Sequence, residues 1–357
     1  MNPKRYNRQV ILDKIGKSGQ AKLAAAHVII IGCGGLGAIA ATYLAGAGIG
    51  HLSLIDGDLP EISNLHRQVF YTPDTKTSKA EALSSYITKY NNDVKVSAMS
   101  IMVNKSNIKS LIKDADVVLE CTDQVLIKYL VNDTCAIQHI PLVYGAIHKY
   151  DGYVSFFNNQ KDTDIHLRDI FPEPNLNIPT CAEVGVVNTL AGIIGLFQAN
   201  EALKHITGAG PTLNGKLLTY DIVQNDQMKL TLKKSFDQDI SEVWKNNTYQ
   251  EKIGCDIPEI TIEEFITRVE EFQVVSILND KHHENITEET IHMPAEQFNI
   301  YEWEPEEESP AVFYCTSGKV SLQLVLQLKE EYPDAEVLSL KGGIKAYRKW
   351  NAAKDEH

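Results

Sequence analysis

Residues 28–37 read Val-Ile-Ile-Ile-Gly-Cys-Gly-Gly-Leu-Gly, a β-branched run that stops at Gly32 and passes through Gly34, Gly35 and Gly37 into an apolar, helix-forming stretch from Ala38 to Ala47. A strand that turns this sharply into a helix presents the helix's free N–H groups and the positive end of its dipole, where a phosphate binds. A Cβ on that turn would hold the phosphate away. The next apolar run, His51 to Ile55, ends in Asp56. That spacing, about 20 residues past the glycines, lets an acid accept from a ribose hydroxyl. This much says nucleotide, and an NAD-dependent oxidoreductase would share it.

The residues that follow favour a triphosphate. Asn64, Arg67 and Lys79 come soon after Asp56, and Asp123 stands in the segment VVLECTDQ at the end of another apolar run. A redox enzyme holds its pyrophosphate mostly with backbone amides and leaves such a cluster unexplained. Two cations and an amide near a strand-end carboxylate suit ATP with Mg²⁺, where charge must be neutralised as a phosphate ester breaks. Asp123 is either a ligand for Mg²⁺, which takes hard oxygen donors, or the cap of a helix beginning near Gln124.

Composition narrows the class. The net charge of −13 argues against binding nucleic acid by bulk charge. No apolar run reaches bilayer-spanning length and the first residues lack the apolar core of a signal peptide, so no membrane association and a cytoplasmic location are expected. The six cysteines, at 33, 121, 135, 181, 255 and 315, form no dense framework and read as reduced thiols.

Apolar runs at 28–31, 52–55, 94–99, 117–120, 142–144, 153–157 and 217–222 alternate with helical stretches. The expected fold class is α/β: a Rossmann-like, mostly parallel sheet with helices on both faces, joined by antiparallel strands after the midpoint. Polar KNNTYQEKIGCDIP, 245–258, reads as linker material. The expected division is 1–248, a linker at 249–258, and a smaller α/β domain at 259–357. In that second domain ITIEEFITRVEEF (260–272) and VSLQLVLQLKEEY (320–332) read as helices, VVSIL (274–278) and AVFYC (311–315) as strands, and EVLSLKGGIKAYRKW (336–350) as strand, Gly-Gly turn and helix.

The chain resembles the ThiF/MoeB/HesA superfamily, bacterial relatives of ubiquitin-activating enzymes. The resemblance rests on RYNRQVIL (5–12), GCGGLG, LIDGD, SNLHRQ, the CTD of Cys121 to Asp123, PLVYGA (141–146), and TCAEVGVV (180–187) with the GLFQANEALK helix after it. It implies an adenylyltransferase that activates the C-terminal Gly-Gly carboxylate of a ubiquitin-like sulfur-carrier protein. Gly32, Gly34, Gly35 and Gly37 would then shape the phosphate loop and Asp56 bind ribose. Asn64, Arg67 and Lys79 would contact the triphosphate, and Asp123 would hold Mg²⁺. Arg8, in RYNRQ, matches an arginine that relatives contribute across a homodimer interface; otherwise it is a surface ion pair. Cys181 sits on what reads as a mobile crossover loop, where relatives have a cysteine that can join the activated carrier through a thioester or acyl disulfide. Some relatives finish at the adenylate and need no such cysteine. Cys33, Cys121, Cys135 and Cys255 read as structural or incidental.

Many relatives also carry two C-x-x-C pairs that close a tetrahedral zinc site. Here the corresponding stretches are DIHLRDIF (164–171) and KKSFDQDISEVW (233–244), with no such pair, so no structural zinc is expected. His166 reads as a solvated or hydrogen-bonded histidine.

The second domain resembles a rhodanese, the persulfide-carrying sulfurtransferase fold, on Cys315 at a strand end, the loop Cys315 to Ser321 leading into a helix, and LKGGIKAYRKW. A cysteine facing loop amides and a helix N-terminus has a lowered thiolate pKa and a cradle for anionic sulfur. The alternative is a buried strand-end thiol. Two departures bear on activity. Val320 stands where the pattern has Arg, with Lys319 beside it, and Ser276-Ile277-Leu278 stands where the pattern has Asp-x-Arg. Together the resemblances imply adenylylation followed by sulfur transfer from a Cys315 persulfide, itself supplied by a donor such as a cysteine desulfurase. The thiocarboxylate product would serve thiamine, molybdopterin or related sulfur-cofactor synthesis. A rhodanese module used only for docking is the main alternative, and the NAD-dependent oxidoreductase a further one.

Overall fold

The computed structural model describes residues 3–158, 165–175, 185–249, 258–279, 285–295, 297–300, 303 and 310–354. The chain divides into two compact units, Met1–Glu251 and Lys252–His357.

In the first unit, strands β1 (His27–Ile31), β2 (His51–Ile55), β3 (Lys95–Met99), β4 (Val117–Glu120), β5 (Leu142–His148), β6 (Asp151–Phe157), β7 (Lys216–Asp221) and β8 (Asp226–Thr231) form one sheet in the order β3-β2-β1-β4-β5-β6-β7-β8. Pairing is parallel from β3 through β5 and antiparallel from β5 through β8. Side chains alternate faces along a strand, and β1 shows the consequence. Val28 and Ile30 pack with Leu44, Leu83 and Ile194 on one face; Ile29 and Ile31 pack with Ile108, Leu130 and Cys135 on the other. Both faces are covered by helices, which is why the strand is apolar and buried from Val28 to Ile31. The first face carries α2 (Gly16–Ala25), α3 (Gly35–Ala47), α4 (Lys79–Tyr90) and α7 (Asn188–Thr207); the second carries α5 (Ile108–Ile112) and α6 (Val125–Gln138).

Three differences from the sequence reading have physical causes. The helix expected from Ala38 starts at Gly35, inside the glycine run, because the turn needs no residues of its own. Strand β8 went unseen because every one of its residues is exposed at the sheet edge, so it shows no apolar alternation. The polar segment read as linker begins within the first unit: Lys245 lies in α8 (Ile240–Asn246), and the buried Tyr249 donates its hydroxyl proton to Asp133 at 2.6 Å.

The second unit is a five-stranded, all-parallel sheet in the order β11-β10-β12-β13-β9, from β9 (Glu259–Ile260), β10 (Gln273–Ser276), β11 (Ile291–His292), β12 (Ala311–Tyr314) and β13 (Val337–Leu340). Its faces divide in the same way, Val274 and Val312 to one cluster and Val275 and Phe313 to the other. Helices α10 (Lys319–Glu331) and α11 (Gly343–Lys354) fall where the sequence places them. The helix expected over 260–272 is shorter. α9 spans Ile262–Thr267, opened by a Thr261/Glu264 capping box, and a 3₁₀ turn follows at Val269–Glu271. Among the described residues no helix is long and apolar enough to cross a membrane.

Candidate active site

Strands β2, β1 and β4 lie side by side and in register, Ile55 beside Ile31 and Ile31 beside Glu120. Whatever follows each strand therefore meets at one edge: the glycine turn after β1, Asp56 after β2, and Cys121 to Asp123 after β4. Successive crossovers from β1 run outward to β2 and β3, whereas β4 lies on the other side of β1. This is the switch point at which open α/β sheets bind ligands beyond the carboxyl ends of their strands.

Backbone packing makes these loops one object. Gly32 has φ +89°, and a Cβ there would stand 2.9 Å from the Cys121 carbonyl; a Cβ on Gly37 would run into the Gly32 carbonyl. Asp56 ties the turn down, its Oδ2 accepting from the Cys33 N–H at 2.7 Å and its Oδ1 from the Asp58 N–H at 2.9 Å. Burial pushes the Asp56 carboxyl up from its ordinary pKa, opposed by those N–H groups and the charge of Lys79. Tyr71 closes the other side, donating to the Cys33 carbonyl at 2.6 Å.

Arg67 and Lys79 border the same turn. A Cβ on Gly35 would stand 3.3 Å from the Arg67 carbonyl and 3.5 Å from Arg67 Cγ. Lys79 opens α4 behind a Ser78/Glu81 capping box; its ammonium is nearly buried and donates to Asp58 at 3.0 Å. The Asn64 carbonyl accepts from the N–H groups of Arg67 and Gln68 at 3.1 and 3.0 Å, and its side-chain amide donates to Glu61 at 3.5 Å. Gln68 was missed by sequence reasoning. It is buried, its Oε1 has no hydrogen-bond partner among the described residues, and its amide nitrogen is 3.3 Å from where a Cβ on Gly34 would stand. An unsatisfied buried amide beside the glycine turn is a group that a bound ligand would satisfy. The only signal for it in the sequence is its place at the end of SNLHRQ.

Asp123 is exposed at the end of β4. The N-cap of α6 is Gln124, without a side-chain cap, so the capping alternative is not realised. The turn bearing Asp123 is fixed from beneath: the buried Glu120 carboxyl accepts from the Thr122 N–H at 2.8 Å and from the Thr122 hydroxyl, and is met by the Lys128 ammonium. Lys128 also donates to the Gly145 carbonyl at 2.8 Å. An exposed carboxylate on a fixed strand-end turn fits a magnesium ion that takes its other ligands from water and phosphate.

Arg8 lies on α1 (Pro3–Val10), which docks through the buried Tyr6, hydrogen-bonded to Asn91 at 2.8 Å, and through Gln9, which donates to the Ala47 carbonyl at 3.0 Å. Arg8 itself is exposed, and among the described residues no hydrogen bond or ion pair joins it to the glycine turn of its own chain. Cys181 and Cys255 lie outside the described residues. Cys33, Cys121 and Cys135 are buried.

The described residues of the stretches that correspond to the zinc-binding pairs of relatives come together through hydrogen bonds and ion pairs. Asp169 accepts from the Ser235 and Phe236 N–H groups, each at 2.8 Å, from the His166 N–H at 2.9 Å, and from the Lys234 ammonium at 3.0 Å. Lys234 also lies 3.0 Å from His166 Nε2. His166 is buried rather than solvated, and burial, then Lys234, push its pKa down to about 4. Burial works to raise the Asp169 carboxyl, but the N–H groups of Phe236, His166 and Ser235 and the Lys234 ammonium hold it below its ordinary value. Next to this hub Arg168 forms a bidentate pair with Asp133, Nε donating to Oδ1 at 3.0 Å and Nη2 to Oδ2 at 2.8 Å. With Lys234 on His166 and Asp169, and Arg168 on Asp133, these donors are already engaged by cationic side chains and do not fit a dication.

In the second unit Cys315 follows β12, buried, with its Sγ 3.4 Å from the Ser321 N–H nitrogen and 3.5 Å from the Ser321 hydroxyl. The Gly-Gly pair closes over this loop. Gly343 has φ +59°, a Cβ there would run into the Cys315 carbonyl, and the Ile344 N–H donates to that carbonyl at 2.9 Å. Val320 is exposed. Ser276 is fully buried, and among the described residues its hydroxyl has no hydrogen-bond partner.

A family model described as "ThiF family" matches residues 6–241. The chain belongs to the ThiF family. Among curated ThiF-family relatives, the "SAMP-activating enzyme E1" of Haloferax volcanii is 40% identical over 218 residues, covering 61% of this chain and 80% of that protein. A "Sulfur carrier protein adenylyltransferase" of Thermus thermophilus is 37% identical over 237 residues, covering 65% and 88%. An "Adenylyltransferase and sulfurtransferase MOCS3" of Culex quinquefasciatus is 35% identical over 230 residues, covering 64% of this chain but 52% of that one, so the chain spans about half of this longer relative. Among solved structures, Escherichia coli MccB with ATP matches at TM-score 0.56 and 22% identity, covering 66% of this chain and 73% of that one, which supports the fold.

Proposed function

We propose that this ThiF-family protein uses ATP to adenylylate the C-terminal Gly-Gly carboxylate of a ubiquitin-like sulfur-carrier protein, and that Cys315 then supplies sulfur to give a thiocarboxylate. The observation that carries the first half is the convergence of the Gly32 turn, Asp56, Arg67, Lys79 and the Asp123 turn on one sheet edge. The names of the Haloferax and Thermus relatives point to the same class of substrate.

Each side chain then has a task. Asp56 holds the ribose. Arg67, Lys79, Asn64 and Gln68 hold the triphosphate, with Lys79 kept in place by Asp58 until a phosphate takes over that contact. The carrier's carboxylate attacks the α-phosphorus and pyrophosphate leaves; donors fixed in advance stabilise the charge that builds up there. Asp123 would hold magnesium, which would supply neutralisation of phosphate charge. Arg8 acts on the neighbour's triphosphate in a symmetric homodimer, which leaves it exposed in the single chain. Cys181 attacks the acyl adenylate, for which AMP is a good leaving group. No structural zinc takes part.

The second half rests on the loop around Cys315 and on the five-stranded parallel sheet that presents it. A cysteine desulfurase-type donor charges Cys315, and fusion of the two units raises the sulfur donor's effective concentration near a labile adenylate. The product feeds thiamine, molybdopterin or related synthesis in the cytoplasm. One observation favours a second reading, a docking-only rhodanese module: Ser276 puts a buried hydroxyl, without a partner among the described residues, where the rhodanese pattern has a charge. Sulfur transfer to Cys315, read as a mass gain after incubation with a persulfide donor, separates the two. Pyrophosphate exchange with candidate carriers tests the adenylylation itself.

A further inference from the structure

The sulfur of Cys315 has a polar partner that the sequence pattern does not single out. Ser321 is the third residue of α10, so its N–H is one of the helix's free donors and points back at Cys315. Its hydroxyl is fully buried and sits 3.5 Å from Sγ, 3.1 Å from the Gly318 carbonyl and 2.8 Å from the hydroxyl of Ser339, which is also fully buried. The Ser339 hydroxyl in turn lies 3.2 Å from the same Gly318 carbonyl. Val320, at the position of the missing arginine, is exposed.

Two hydroxyl protons thus share the sulfur, the Gly318 carbonyl and each other's oxygen as acceptors. When Cys315 is a neutral thiol, Ser321 donates to the Gly318 carbonyl and Ser339 donates to Ser321. When the sulfur carries charge, Ser321 turns its proton to Sγ and Ser339 donates to Gly318 instead. Only protons rotate, and in both states the Gly318 carbonyl is satisfied. A hydrogen bond to the charged form favours it.

We propose that Ser321 stabilises the charged sulfur of Cys315 in place of the arginine absent at position 320, with Ser339 as the positioning residue that keeps its hydroxyl aimed. The proposal deepens the reading of Cys315 as a sulfur carrier and rests on it. The step served is attack of the Cys315 thiolate on the outer sulfur of a persulfide R–S–SH. The new S–S bond forms as the old one breaks, R–S⁻ leaves with the electron pair, and the terminal proton stays with the transferred sulfur.

The test uses the full-length protein with Ser321→Ala, Ser321→Thr and Ser339→Ala. Iodoacetamide alkylation of Cys315 is followed against pH by peptide-resolved mass spectrometry, and sulfur uptake is measured with glutathione persulfide. The expected result is a rise in the alkylation midpoint of about one pH unit in Ser321→Ala, a smaller rise in Ser339→Ala, and a near-wild-type profile in Ser321→Thr. A wild-type profile in folded Ser321→Ala overturns the proposal. Should that variant not fold, an unshifted profile in Ser339→Ala overturns it instead. Absence of a sulfur adduct on wild-type Cys315 is a separate outcome: it overturns the carrier reading and the role in transfer built on it, while the profiles still judge the effect of Ser321 on the thiolate.

Discussion

Arg67 and Asp123 can be tested one side chain at a time, because each is partly or wholly solvent-facing and neither holds the core together. Arg67→Ala and Asp123→Asn are each expected to lower pyrophosphate exchange by about 10²–10³-fold. Their thermal midpoints should stay close to wild type. An exchange rate within a few-fold of wild type in either variant contradicts its assigned role. His166 gives a prediction of the opposite kind, in stability rather than turnover. Its pKa is pushed down to about 4 in the fold, so the unfolded chain takes up a proton below its ordinary 6.5 that the folded chain refuses. Stability is therefore full above about pH 6.5 and declines as pH falls toward 4, by on the order of 2–3 kcal/mol for this residue. Urea midpoints at pH 7 and pH 5 should separate more in wild type than in His166→Gln; equal separations would remove His166 as the cause. At this scale the glycines and Asp56 were legible because turn geometry restricts which residues serve. Gln68 and Ser321 were not, since a buried amide or hydroxyl looks in sequence like any other polar residue. Only its neighbours show what it faces.

Elements with both faces buried announced themselves, and elements at an edge did not. β1, β2 and β4 are apolar throughout or nearly so because helices cover them on both sides, whereas β8 has no buried residue and no pattern to read. α9 carried an amphipathic pattern past its true end, because Val269 and Phe272 are packed by a 3₁₀ turn and the start of a strand rather than by continued helix. The lost C-x-x-C pairs were visible, but what replaces them was not. Asp169 joins the 166–169 turn to residues 234–236 by hydrogen bonds that only the fold brings together. Asp169→Ala would strand the Ser235 and Phe236 N–H groups and is expected to cost about 2–4 kcal/mol. Calorimetry should show that loss, and should show no change when wild type is treated with EDTA. A large fall in the wild-type midpoint on chelation would mean that a metal fastens this region after all.

Across the whole molecule, the ThiF-family unit leaves Arg8 exposed on a helix docked by Tyr6 and Gln9, and the proposed function assigns it to the partner's site. Subunits carrying Arg8→Ala and subunits carrying Asp123→Ala should each be inactive alone. Mixed heterodimers should recover up to about half of wild-type activity, because one of their two sites is assembled from intact parts. No recovery in demonstrated heterodimers would place Arg8 outside the reaction in trans. The chain's two-unit organisation suits a sequence of activation followed by sulfur delivery, but everything downstream depends on the adenylate forming first. The most direct measurement is therefore magnesium-dependent exchange of labelled pyrophosphate into ATP, with and without a Gly-Gly-terminated ubiquitin-like carrier. Exchange is expected to need both magnesium and the carrier's free C-terminal carboxylate and to be lost in Arg67→Ala. Exchange that ignores the carrier, or binding of NAD with no affinity for ATP, would contradict the proposed function.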